Sequence, residues 1–155
     1  MSAVAQAPTR SRAALYLAGG LLIVAAFQTA LTLGAPFGAA AQGGTNPGQL
    51  TGALRLVSGV GAIVWLCATV IVLARGGWAL VPLRDNVTHV ATWGLVGLLA
   101  VGALMNVASS SPWERFGWGP FTLVLFVLCV VVAKSAPPRT PGGTASLSSD
   151  VERRR

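Results

Sequence analysis

The sequence is poor in charged residues, and acidic ones are the rarest. Only 10% of its 155 residues are charged, and just four are Asp or Glu. A soluble domain usually carries about 25% charged residues, so the charges here are too few to cover a water-exposed surface. Because 54% of the residues are hydrophobic as well, the composition indicates an integral membrane protein.

Histidine and cysteine are also scarce. The single histidine, His89, excludes haem ligation by a pair of histidines within the chain. Cys67 and Cys129 lie inside apolar runs and form no CxxC or Cys/His zinc pattern, and no structural disulfide is expected between them. There is no nucleophile–base pair and no pair of carboxylates. The sequence therefore predicts a non-enzymatic protein without catalytic residues, metal or cofactor.

The net charge of +7 does not indicate a nucleic-acid partner. Nucleic-acid-binding domains gather their basic residues on one face or stripe, whereas here they form short clusters between apolar runs. Clusters of that kind are typical of membrane topology signals. The predicted partners are the lipid bilayer and either further copies of the chain or another membrane protein, with no nucleic acid.

Four apolar runs predict an all-α bundle of four transmembrane helices, with a membrane domain over residues 13–134. The first run has no charge over 21 residues, or about 31 Å of helix, which is enough to span the hydrocarbon core. A polar segment, 1–12, precedes the domain, and a Pro/Gly/Ser/Thr-rich tail, 135–155, is predicted to be disordered. The helices are expected at residues 13–33, 47–74, 87–106 and 112–133.

The first helix has an alternative interpretation as a cleaved signal peptide. Arg10 and Arg12 would form its basic region, and Ala39-Ala40-Ala41 its cleavage site. The apolar run is longer than the usual signal-peptide core of about 7–15 residues, which favours a retained helix. An intact mass of the purified protein would distinguish the two.

Two helix starts carry capping signatures. Asn46-Pro47-Gly48-Gln49 and Ser111-Pro112-Trp113-Glu114 each combine an N-cap residue, proline at the first helical position, and Gln or Glu at N3. If helix 4 begins at Pro112, Pro120 lies in its interior and removes a hydrogen bond. The sequence therefore predicts that helix 4 is kinked near Pro120.

The basic residues also predict the orientation. With four helices, both termini lie on one side, and that side collects nine of the eleven Arg and Lys residues. The other side has only Arg55 and Arg115. The positive-inside rule then predicts a multi-pass plasma-membrane protein with both termini in the cytoplasm.

Polar residues in the apolar runs fall at the outer ends of the helices. Gln28 and Thr32 are four apart and share one face of helix 1. Four helices contributing polar atoms at one depth predict a small outward-facing pocket; interhelical hydrogen bonding without a ligand is the alternative. The candidate cluster consists of Gln28, Thr32, Arg55, Ser58, Asn106, Glu114 and Thr122.

Arg55 and His89 carry the two specific pairing hypotheses. Arg55 either anchors helix 2 at the outer interface or forms an ion pair with Glu114, the one carboxylate expected on that side. His89 follows Asp85 by four residues, and a hydrogen bond to Asp85 is favoured over a proton-relay role.

The pattern Asn106-x-x-Ser109-x-Ser111-x-x-Glu114-Arg115, followed by Trp118-Gly-Pro120, resembles uncharacterised small four-helix membrane proteins of bacteria, chiefly actinobacteria. The resemblance implies a fold and a bacterial inner membrane, and no activity. The leading functional prediction is a structural or accessory subunit of the plasma membrane. The alternative is a small transporter or a lipid- or small-molecule-binding protein that uses the outer polar pocket.

Overall fold

The computed structural model of the protein describes residues 10–78 and 83–135. Within these ranges, every long element is a helix that can cross a membrane by its length and apolar composition, which confirms the predicted all-α bundle of four such helices. The elements are α1 (Arg12–Thr32), α2 (Gly52–Arg75), α3 (Asp85–Ala108) and α4 (Gly119–Lys134), with the π-helical segment Glu114–Trp118 running directly into α4.

Of the predicted N-terminal segment, residues 1–9 lie outside the described residues, and so does the predicted disordered tail from residue 136 onward. The short stretch 79–82 between α2 and α3 is likewise outside them.

The helices pack as two hairpins that close on each other. α1 packs mainly on α2, and α3 mainly on α4, while α1 also contacts α4 and α2 contacts α3. Gly20 lets α1 and α4 approach closely, because a Cβ atom there would overlap the Leu125 side chain. The main core consists of Ala14, Leu17, Leu21, Val24, Ala68, Val72, Leu95, Val96, Leu99, Leu125, Cys129, Val132 and Ala133.

The outside of the bundle is apolar, as a lipid-facing surface requires. Leu56 on α2 and Leu104 on α3 are each 71% exposed. An exterior of this kind would aggregate in water, whereas lipid chains solvate it. Both cysteines are free: Cys67 is exposed on α2, and Cys129 is buried in the core.

Helix α2 begins at Gly52, later than the predicted start at residue 47. Thr51 occupies the N-cap without a side-chain hydrogen bond. The residues before it form an irregular loop in which Leu50 is buried with Leu31 and Ala41, and the Gly48 carbonyl accepts a hydrogen bond from Gly38 N at 2.9 Å. Burial of Leu50 and this long-range backbone contact outweigh the local capping signal at Asn46.

Helix 4 contains a wide turn next to its proline. Residues 112 and 113 are helical, and the chain continues through the π-helical segment Glu114–Trp118 into α4 without a break. Within that turn, Gly119 N donates to the carbonyl of Glu114, five residues earlier. Pro120 has no N–H to donate and its ring crowds the preceding turn, so a wider turn here accommodates it.

Candidate functional site

The loop between α1 and α2 folds back over one end of the bundle. It does so through three consecutive residues with left-handed backbone, Gln42 (φ 54°), Gly43 (φ 80°) and Gly44 (φ 70°). Glycine adopts this region freely, whereas most other residues are strained in it. Space also favours glycine at Gly44, where a Cβ atom would lie 2.9 Å from Cβ of Ser111.

The side chain of Glu114 binds the backbone of this loop. Its side chain is only 7% exposed, and both carboxylate oxygens lie 3.1 Å from Gly43 N, which donates to them. The Ser109 hydroxyl donates to Oε2 of the same carboxylate. Hydrogen bonds to a charged group are stronger than neutral ones, so these contacts hold the loop firmly on the turn between α3 and α4.

The predicted capping box at Ser111 is therefore half formed. Ser111 Oγ accepts from Glu114 N at 3.4 Å, as predicted. The reciprocal bond is absent, because Ser111 N donates to Ser109 Oγ at 3.1 Å while the Glu114 carboxylate binds Gly43.

Two further serine contacts complete this connection. The Ser111 hydroxyl donates to the Ala39 carbonyl at 2.6 Å, and the Ser110 hydroxyl donates to the Gly43 carbonyl at 3.2 Å. The connection thus joins segments about 70 residues apart in the chain. We call it the clasp, and it comprises Ala39, Gly43, Ser109, Ser110, Ser111 and Glu114.

A cavity of about 330 Å³ lies under the clasp. All four helices contribute to its wall, which combines polar and aromatic side chains. Asn106 Nδ2 donates to Thr122 Oγ1 at 3.3 Å on one side. On another, Oε1 of Gln28 is buried without a hydrogen-bond partner. The lining of this clasp cavity is Val24, Phe27, Gln28, Ala40, Ala41, Gln42, Val57, Trp65, Leu99, Gly102, Asn106, Glu114, Trp118 and Thr122.

An apolar groove of about 370 Å³ adjoins the clasp cavity between α1 and the helix 4 region. Phe27 and Trp118 lie on both, with ring centroids 4.7 Å apart, and Trp118 meets Phe121 edge-on at 5.7 Å. Trp113 at the rim is 67% exposed. The lining of this aromatic groove is Ile23, Phe27, Ala40, Trp113, Gly117, Trp118 and Phe121. Phe27, Ala40 and Trp118 therefore form a wall that the cavity and the groove share.

The predicted ion pair between Arg55 and Glu114 does not form. Arg55 Nε donates to the carbonyl of Thr32 at 2.9 Å, and the guanidinium lies against Gly34. The last turn of α1 has no basic residue of its own, so Arg55 supplies the cation that its free carbonyls favour. Glu114 meanwhile finds its donors in Gly43 and Ser109, which leaves neither group without a partner.

Four of the seven predicted site residues line the clasp cavity: Gln28, Asn106, Glu114 and Thr122. Ser58 is buried beside it and lies 3.5 Å from Nε2 of the lining residue Gln42. The other two, Thr32 and Arg55, instead contact each other at the end of α1.

Sequence reasoning missed Gln42, Gly43 and the aromatic members of the wall. The signal for the first two was a polar residue directly before a Gly-Gly pair, after eight loop residues (34–41) without a hydrogen-bonding side chain. A tryptophan near the end of a membrane helix is typical of an aromatic belt at headgroup level, so the sequence pattern does not indicate that Trp118 lines a cavity.

At the opposite end of the bundle, His89 pairs with Arg75 and not with Asp85. Arg75 is only 6% exposed, and its Nη2 donates to the carbonyls of Ser135 at 2.7 Å and Ala133 at 3.3 Å. The same nitrogen lies 3.3 Å from His89 Nδ1. The two hydrogens of this nitrogen thus face three acceptors or near neighbours on α3 and at the end of α4. Arg75 thus ties α2 and α3 to the C-terminal end of α4.

The described residues offer no group that would hold a metal. Within residues 10–78 and 83–135, no three His, Cys, Asp or Glu side chains lie together. The polar wall offers hydrogen-bonding groups, and the aromatic groove offers apolar contact. No family model, no curated protein and no solved structure matches this chain.

Proposed function

We propose that the protein is a non-enzymatic membrane protein that binds a small amphiphilic molecule in the clasp cavity. The observation that carries this proposal is the buried, unpartnered Oε1 of Gln28 in a cavity that adjoins the aromatic groove. A volume of about 330 Å³ falls at the lower end of ligand-pocket sizes, as suits a hydroxyl- or amine-bearing head group.

The polar wall selects for a ligand that donates hydrogen bonds. A buried acceptor without a partner costs about 1–3 kcal/mol, and a hydroxyl or amine placed beside Gln28 would remove that cost. Glu114 offers further acceptor sites on the same wall. The apolar part of the molecule would lie along Phe27 and Trp118, towards the lipid.

The substitution Gln28→Leu tests this proposal. Leucine keeps the apolar bulk of the side chain but removes the acceptor, so we expect affinity for the amphiphile to fall about tenfold. The ligand-free protein should be as stable as the wild type or more so, because the unpartnered oxygen is gone. The probe is brominated dodecanol, a long-chain alcohol whose bromine quenches tryptophan fluorescence on binding, and the organic extract of the purified protein is analysed in parallel.

Thr29→Val is the matched control. Thr29 is the next residue on α1, is exposed, and donates only to its own helix at the Ala25 carbonyl. The change should leave quenching at the wild-type level. Equal binding by the wild type and Gln28→Leu would reject the ligand-binding proposal.

We further propose that the clasp faces the outside of a bacterial plasma membrane and that both termini are cytoplasmic. The support is the charge distribution: Arg10, Arg12, Arg75, Arg84 and Lys134 lie at the end opposite the clasp, and Arg55 and Arg115 at the clasp end. We also propose that helix 4 bends near Pro120, and the π-helical turn supports this bend. We propose as well that the chain belongs to the actinobacterial four-helix group, and the Asn106–Pro120 pattern supports this membership.

Cysteine labelling in intact cells tests the orientation. In a chain whose two native cysteines are replaced by alanine, Gln49→Cys should react with a membrane-impermeant maleimide, because residue 49 is exposed in the clasp-end loop. Arg84→Cys, exposed at the opposite end, should react only after the cells are lysed. The reverse pattern would invert the proposed topology.

A structural or accessory role, as a homo-oligomer or with another membrane protein, is the second candidate. It is favoured by a seam on α3, where Val90, Gly94, Gly97 and Val101 are all exposed and a Cβ at either glycine would meet open space. Glycines on an exposed helix face permit close approach of another helix. Capture of a stable partner by crosslinking, together with no amphiphile in the purified protein, would favour this candidate over ligand binding.

A further inference from the structure

A second cavity, of about 410 Å³, lies at the end of the bundle opposite the clasp. It is independent of the clasp cavity and shares none of its residues. Its lining combines two cations with aromatic and aliphatic side chains: Arg10, Arg12, Leu15, Tyr16 and Trp78. We call it the arginine cavity.

The arginine cavity is built around Trp78. The indole Nε1 donates to the Ser11 carbonyl at 2.9 Å, and Ser11 N donates to the Gly76 carbonyl at 3.0 Å. These two bonds fix the start of α1 against the end of α2. Arg10 then lies over the indole ring, with its Cζ atom 4.9 Å from the ring centroid. That distance is within the range of a cation–π interaction, so the ring holds one guanidinium in position.

The charge of this cavity is uncompensated by its own lining. Among the described residues, no carboxylate lines it, and the first turn of α1 contains no acidic residue. The α1 N-terminus adds the positive end of a helix dipole at the same place. Two guanidiniums near a helix start match a phosphate group, which their planar forks bind by paired hydrogen bonds.

The remaining wall indicates which kind of phosphate would bind. Leu15 is 40% exposed and Tyr16 is 70% exposed, and both lie in the first turns of α1. A free phosphate ion would gain nothing from these side chains. A phospholipid would place its glycerol and upper acyl chain on them while its phosphate meets the arginines.

We propose that the arginine cavity binds the head group of an anionic phospholipid in the adjacent leaflet. Phosphatidylglycerol carries the phosphate that the two arginines need, without the choline cation that they would repel. Basic pockets between membrane helices are a recurrent way of holding such lipids. The site would fix the start of α1 to the bilayer and would act separately from ligand binding at the clasp.

The test measures lipid retained by the full-length chain in native mass spectrometry. Wild-type protein in detergent is mixed with phosphatidylglycerol or phosphatidylcholine, and we expect selective retention of phosphatidylglycerol. Each Arg→Gln change at Arg10 or Arg12 should lower that affinity about fivefold, and the double variant about 25-fold. Arg10→Lys, which keeps the charge but loses the fork, should give a smaller loss.

Arg84→Gln is the matched control, since Arg84 is an exposed arginine at the same end of the bundle and does not line the cavity. It should retain phosphatidylglycerol as the wild type does. An equal loss in Arg84→Gln and in the double variant would overturn the proposal, and so would equal retention of phosphatidylcholine. Displacement of the lipid by inorganic phosphate alone would show an ion site and would overturn the assignment to a lipid.

Discussion

Replacing Glu114 by alanine is expected to lower the free energy of unfolding by about 3 kcal/mol. The carboxylate holds both Gly43 N and the Ser109 hydroxyl, and alanine removes the acceptor for both at once. Hydrogen bonds to a charged group contribute about 1.5–3 kcal/mol each, and the donors left behind are then poorly satisfied. Denaturant titration of the purified protein in detergent micelles measures the change.

Two companion variants make this result specific to the clasp. Glu114→Gln keeps one carbonyl oxygen for Gly43 N, so it should lose less stability than Glu114→Ala. Arg115→Ala changes the neighbouring exposed residue and should stay within about 0.5 kcal/mol of the wild type. Hydrogen exchange at the Gly43 amide should become faster in Glu114→Ala only. An unchanged stability and an unchanged Gly43 amide would contradict the role given to Glu114.

Double-mutant cycles then separate the observed partner of Glu114 from the one predicted by charge. Ser109→Ala and Glu114→Ala should be strongly non-additive, because both remove the same hydrogen bond. Arg55→Ala and Glu114→Ala should be additive within about 0.5 kcal/mol, since Arg55 binds the carbonyl end of α1. A coupling energy between Arg55 and Glu114 above that limit would indicate an ion pair between them and would contradict the contacts described here.

The helices themselves could be predicted because their signal is local. Each apolar run is long enough to cross a bilayer, and in lipid a helix satisfies all its backbone hydrogen bonds internally. The polar residues of the site were also visible as exceptions within those runs. Gln28, Asn106, Glu114 and Thr122 line one cavity because they lie near the same ends of their helices, as the sequence indicated.

The rest of the site depends on contacts that no local pattern encodes. Gly43 and Glu114 are 71 residues apart, and their contact requires a left-handed turn whose shape only the folded loop defines. Gly43 also has no side chain, so its residue type does not indicate a role in the site. The start of α2 was misplaced for a related reason, because Leu50 is drawn into a small cluster with Leu31 and Ala41.

Two pairings considered from the sequence do not form: Arg55 with Glu114, which was one of two alternatives, and His89 with Asp85; both matched opposite or complementary side chains. In the folded chain, both arginines near these groups bind backbone carbonyls at helix ends: Arg55 at the end of α1 and Arg75 at the end of α4. Free carbonyls at a C-terminus attract cations and are present in every helix. In a chain with four acidic residues, these carbonyls are the commoner acceptors for arginine.

The second large effect is expected at Gly38, the buried glycine where the clasp-end loop crosses itself. A Cβ atom added there would overlap the carbonyl oxygen of Asn46 and lie 2.7 Å from that of Gly48. Both obstacles are backbone atoms, so no side-chain rotation relieves the clash. We expect Gly38→Ala to cost about 2–3 kcal/mol, in the range of overpacking substitutions. Denaturant titration in micelles measures this cost.

Gly48→Ala is the control within the same loop, because a Cβ at Gly48 meets nothing within 4 Å and its φ is not positive. It should be neutral or slightly stabilising, since alanine reduces the freedom of the unfolded chain. The Gly38 shift should also reach the neighbouring clasp residue Ala39 and cavity residue Ala40, so Gly38→Ala should weaken dodecanol binding while Gly48→Ala leaves it unchanged. If Gly38→Ala lowers the free energy of unfolding by less than expected yet abolishes dodecanol binding, the loop opens separately from the helices. If Gly38→Ala and Gly48→Ala have equal stability and equal binding, the crossing of the loop does not support the clasp.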